Sequence, residues 1–168
     1  MTERTPDPIL DRLLRHMAWA NAALIARLAE LPDSALHLTS PRNEWSAGMI
    51  LAHLVSAAGG YASRLEQVPR SPDTETPTSV AQLTEIAARC ADLDARLRAQ
   101  ATVPDELVPH ANPDRPARAR STVLGQAIHH ATEHRAQIAG ALSTNGLDAI
   151  DLDALDLWAY GEAEGRGD

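Results

Sequence analysis

Four runs of apolar residues recur at the three-and-four spacing of an α-helix, and Pro-rich breaks separate them. That punctuated periodicity constrains the fold more than any other feature of the chain. From about Asp7 to Leu31, the residues Leu10, Leu13, Leu14, Met17, Leu24, Leu28 and Leu31 share one stripe, which Pro32 ends. A second helix should open with Ser46 as N-cap and Trp45 as the apolar anchor before it. It turns Ile50, His53, Leu54, Ala57, Tyr61 and Leu65 inward and ends near Val68, ahead of Pro69. The third carries Val80, Leu83, Ile86, Ala87, Cys90, Leu93 and Leu97 and stops before Pro104. The fourth runs from about Ser121 to Ser143, with Asn145 and Gly146 as stop signals. The tail "DLDALDLWAYGEAEG" fits one short helix bearing Trp158 and Tyr160.

The connections are long and rich in proline, and none shows a strand pattern or an internal repeat. The expectation is an all-α four-helix bundle with long crossover connections, a short C-terminal helix, and one domain over residues 1–168. The core chemistry agrees. Phe is absent and aromatics make up 3%, so Ala and Leu must do most of the packing, which suits close-packed helices better than sheets.

Charge narrows the partners. All 15 basic residues are Arg, spread through a chain of net charge −8, which argues against nucleic acid or an anionic membrane surface. No apolar run approaches the ~20 residues of a spanning helix, and "MTERTPDPIL" lacks a signal-peptide core, so the cytoplasm is the expected compartment. The single Cys90 rules out an intramolecular disulfide, and on a core stripe it reads as inert packing.

The stretch "HHATEHRAQI" places three of the seven histidines within six residues. On a wheel of ~100° per residue, His130 and His134 fall ~40° apart on the inward arc, while His129 points ~140° away. An i, i+4 pair can aim two imidazoles at one point. A catalytic metal usually takes three protein ligands and keeps one position open. His53, on the apolar stripe of the second helix, supplies the third. Three inward imidazoles are costly to bury unless their nitrogens find partners, and a divalent cation serves all three. The plainer reading of any single inward His is a hydrogen-bonded core residue. His16 is a lesser candidate for a fourth ring or a supporting partner, and His37 and His110 sit in connections where solvent should reach them.

Other chemistries lack their signatures: there is no H-E-x-x-H, no Glu-x-x-His, no Gly-rich phosphate loop and no G-x-S-x-G elbow. With these residues placed, the chain resembles the DinB/YfiT-like superfamily over nearly its whole length. The resemblance rests on "HMAWANAALIARLAELP", on the Trp-Ser entry in "EWSAGMILAHLVSAAGGY", and on "HATEHRAQI" as a His-x-x-x-His-Arg-x-Gln motif. It implies a zinc- or nickel-type site with His53, His130 and His134 as ligands plus water, usually in a homodimer. It further implies, for some relatives, a transferase or isomerase that joins a low-molecular-weight thiol (mycothiol, bacillithiol or glutathione) to a small-molecule substrate. The competing reading is a non-catalytic metal-binding or stress-response bundle. Two positions depart from the motif: Ala136 stands where Gly is common, and Gln126 where a further His is common, which favours an open metal position. Arg135 and Gln137 either orient the ligands or tie the fourth helix to its neighbours.

Overall fold

The order of the helices around the bundle explains why its connections are long. The structure, a computed structural model, describes residues 5–41 and 43–166; Met1–Arg4, part of the segment read as lacking a signal-peptide core, lie outside the described residues. The helices are α1 (Pro8–Ala29), α2 (Ala47–Glu66), α3 (Leu83–Ala99), α4 (Arg120–Ser143) and a short α5 (Leu157–Ala163). Both α1 and α2 pack on α3 and α4. So α1 stands diagonal to α2, and α3 diagonal to α4. Two of the three links between successive main helices must therefore cross an end of the bundle, which tight turns cannot do. Among the described residues, no helix is long and apolar enough to cross a membrane.

Local chemistry sets the helix ends. Asp7 Oδ1 accepts from the backbone N–H of Ile9 and of Leu10 at 3.0 and 2.9 Å, with Pro8 in the first turn. Ser46 Oγ accepts from Met49 N–H at 3.3 Å, as its N-cap role requires. At the far end of α2, Gln67 adopts a left-handed conformation (φ 56°) and stops the helix two residues short of Pro69. A capping box of Ser79 and Gln82 leads through one 3₁₀ turn into α3. Gly146 (φ 78°) follows α4, where a side chain would be strained. Leu14, Met17, Leu24, Leu28, Leu51, Leu97, Ile138 and Leu142 fill the interior at 0–1% exposure; burying each such side chain contributes about 1.5–3 kcal/mol.

Two expectations are corrected here. The connection between α3 and α4 contains a small antiparallel pair, β1 (Leu107–Val108) with β2 (Arg118–Ala119), in register Leu107↔Ala119 and Val108↔Arg118. Prolines at 104, 109, 113 and 116 exclude helix there but leave residues between them free to pair. Arg64 Nη2 on α2 donates to the carbonyls of Val108 (3.0 Å) and Pro116 (3.2 Å), and so fastens this hairpin to the bundle. Trp45, expected as an apolar anchor, remains 40% exposed and instead sets its ring edge-on to His53, centroids 4.9 Å apart.

Candidate metal centre

Because α2 packs along α4, His53 meets the i, i+4 pair of α4. The rings of His53, His130 and His134 lie 4.2–5.1 Å apart, centroid to centroid. One ligand nitrogen from each lies within 4.8 Å of the other two, a group able to hold a metal ion. The nitrogens Nε2 of His130 and His134 are 3.0 Å apart.

Gln137 decides the state of the closest ring. Its Oε1 stands 2.7 Å from His134 Nδ1, and an amide oxygen only accepts, so Nδ1 carries the proton. A neutral His134 then presents a bare lone pair at Nε2, toward His130. Two ring nitrogens this close must share either one proton or one cation. The donor set fits a divalent ion of intermediate softness, for which neutral imidazole is a common ligand. Burial is the main cause holding His130 down to about 4, and the nearby His134 and His53 push the same way. Burial likewise lowers His53, with His134 adding to it. Both rings are therefore neutral near pH 7, the form that ligates. Tyr61 closes one side, its ring edge-on to His130 at 5.7 Å.

The remaining histidines separate as follows. His129 is exposed, in keeping with its place on the wheel, and His37 is exposed as well. His16 does not join the triad: its Nε2 lies 2.8 Å from the Leu155 carbonyl oxygen, and its ring sits 5.7 Å from that of Tyr160. The segment before α5 covers that stretch of α1 and occupies the imidazole. His110 is not left to solvent as expected. It is half-buried, accepts at Nδ1 from Asn112 N–H at 2.9 Å, and lines a cavity of about 740 Å³ whose wall includes His53 and His130.

The two open motif positions take different roles. Gln137 orients His134. Arg135, 3% exposed, ties α4 to its neighbours: its Nη1 donates to Asn21 Oδ1 on α1 at 2.8 Å, while Asn21 Nδ2 donates to Asp94 Oδ2 on α3 at 3.1 Å. Burial drives Asp94 up to about 6 against the opposing pull of Asn21, Cys90 and Arg135, and burial brings Arg135 down to about 10. Cys90 donates to Asp94 at 3.6 Å, and burial pushes its thiol far above the usual range, so it is no nucleophile near neutral pH. The sequence reading missed Asp94 and Asn21; a carboxylate at a core-stripe position, one turn beyond Cys90, was the available signal. A second groove, about 700 Å³, runs between α1 and α3 over Cys90 and Asp94, and no triad residue lines it.

The fold is thus a helical bundle with three converging imidazoles, two from one helix and one from its neighbour, in a group able to hold a metal ion beside an open cavity. The DinB family model matches residues 1–164, and the chain belongs to that family. A solved crystal structure of a DinB family member from Shewanella denitrificans is similar in fold, with TM-score 0.55 and 18% identity, covering 88% of this chain and 87% of that one. No curated protein matches the sequence.

Proposed function

We propose that the protein, acting as a single domain in a homodimer, holds zinc or nickel through His53, His130 and His134 and transfers a low-molecular-weight thiol to a small electrophile. The observation that carries this reading is the convergence of three ring nitrogens, that of His134 set by Gln137, with His53 and His130 also lining a cavity roomy enough for a small molecule. When bound, a divalent ion supplies the positive charge that lowers the pKa of a thiol beside it. The chain's own residues do the rest. Gln137 keeps the proton of His134 on Nδ1, so its lone pair stays on Nε2. Burial keeps His53 and His130 unprotonated. Trp45 and Tyr61 set their rings edge-on against those of His53 and His130 and brace them. Cys90, buried and protonated, leaves the nucleophile to come from the thiol cosubstrate.

The test is elemental analysis of untagged protein purified without chelators or metal columns. Next comes a panel of mycothiol, bacillithiol, glutathione and coenzyme A against haloarenes, epoxides and maleyl-type isomerisation substrates. Turnover that persists in Cys90→Ala and is lost in a folded His134→Ala supports the proposal. Silence across the panel at verified metal occupancy leaves a non-catalytic metal-binding protein. Activity that survives His134→Ala but dies with Cys90→Ala overturns the mechanism.

A further inference from the structure

The cavity beside the triad carries a charge pattern opposite to that of the chain as a whole. Arg64, Arg70, Arg115 and Arg118 line it with His53 and His130, and no aspartate or glutamate is among its described lining residues. Yet the chain holds 23 acidic side chains against 15 arginines. Arg70 has an exposed partner, Asp73, at 2.8 Å. Arg115 and Arg118 are exposed and form no ion pair among the described residues. Arg64 spends Nη2 on the Val108 and Pro116 carbonyls, the contact that fixes the hairpin bearing those two arginines. Its Nε, shielded from solvent, has no hydrogen-bond partner among the described residues. Unpaired guanidinium groups around a concavity are the chemistry that recognises carboxylates and phosphates, since a planar fork matches two oxygens at once and the walls focus the field.

We infer that this cavity is a binding site for an oxyanion-bearing small molecule, its carboxylate or phosphate held by Arg115 and Arg118 and its other end toward His53 and His130. The volume, about 740 Å³, fits a small ligand. The inference rests on the proposed thiol transfer for what happens at the triad, where it makes one of the two reactants an anion. Anion binding itself needs no metal.

The experiment is calorimetric titration of the full chain, metal-free and zinc-loaded, with succinate, phenyl phosphate and neutral succinamide. At least one anion binds both forms, more weakly as salt is raised, and succinamide does not. Tighter binding of succinate assigns a carboxylate, and tighter binding of phenyl phosphate a phosphate. Arg115→Gln/Arg118→Gln weakens the anion about tenfold, the loss of roughly one exposed charge-assisted contact. Its metal content stays unchanged, and Arg27→Gln, on the outer face of α1, has no effect on anion binding. Equal binding of succinate and succinamide, no anion binding in either form, or affinity indifferent to the double substitution would overturn the inference. The two readings fail separately. Anion binding retained in His53→Ala, with no thiol transfer by the native chain, sinks the transferase and keeps the anion site. Thiol transfer with no arginine-dependent anion binding does the reverse.

Discussion

Replacing Arg135 with Met should reveal a buried electrostatic linkage that couples three helices. Methionine keeps much of the length and removes the charge. Asn21 Oδ1 then loses its 2.8 Å donor, and Asp94 loses a nearby cation that favours its ionised form. Breaking a buried charge pair typically costs about 3–5 kcal/mol; since Asn21 bridges this pair, about 3 kcal/mol near pH 7 is the reasonable figure. The sign with pH follows from Asp94. Its pKa is raised from 3.8 to about 6, so the stability it contributes is complete below the lower value and lost as pH rises through the upper. That loss amounts to roughly 3 kcal/mol in the native chain, at ~1.4 kcal/mol per unit. Without Arg135 the carboxyl rises further, so the deficit of the variant is smaller near pH 4 and grows by about 1.4 kcal/mol by pH 7, one unit above the native value of about 6; the remainder, from the unpaired Asn21 amide, does not change with pH. His130 works in the opposite direction, because a pKa lowered to about 4 makes the native state gain stability as pH rises across the same window. That contribution is common to both proteins and cancels in their difference. Urea unfolding of metal-free protein, followed by circular dichroism at several pH values, measures the difference. Arg135→Met/Asp94→Asn should recover at least half of it near neutrality. A deficit independent of pH, or no recovery in the double variant, would show that Arg135 acts through packing alone.

Further outcomes are expected. His53→Ala, His130→Ala and His134→Ala each lower bound metal sharply in elemental analysis while His129→Ala does not; equal loss from all four would mean the ligand set is wrong. Gln137→Leu frees the His134 ring and weakens metal affinity about 10–100-fold with the helical spectrum intact, and unchanged affinity in a competition titration would remove Gln137 from the site. Metal at ~1,000-fold over its dissociation constant adds about 4 kcal/mol to unfolding, on an apo chain that is already helical; an unstructured apo chain would point to a structural ion. Gly48→Ala should destabilise by about 1–3 kcal/mol despite better helix propensity, because its Cβ would meet the Pro77 and Leu36 carbonyl oxygens at 2.9 and 3.0 Å. Gly140→Ala on α4 meets nothing within 4 Å and should stabilise by about 0.5–1 kcal/mol; thermal melts in which both changes act alike would contradict this packing.

What the sequence settled by itself is what depends on neighbours a few residues away. Helical stripes, the Ser46 cap, the Gly146 stop and the shared face of His130 and His134 all follow from bonds and side-chain directions spanning one or two turns. Which third histidine completes the group was not local. His16 and His53 both lie on apolar stripes, and only the packing of α2 along α4, against the covering of His16 by Leu155 and Tyr160, separates them. Arg135, Asn21 and Asp94 come from three helices, so no periodicity links them. The hairpin at Leu107–Val108 and Arg118–Ala119 hides among prolines, because two-residue strands have too few positions to show alternation. Arg70, Arg115 and Arg118 are scattered through links that read as solvated loops. They share one cavity because Arg64 pins the hairpin to α2, a contact that bridges more than forty positions and exists only once the bundle has closed.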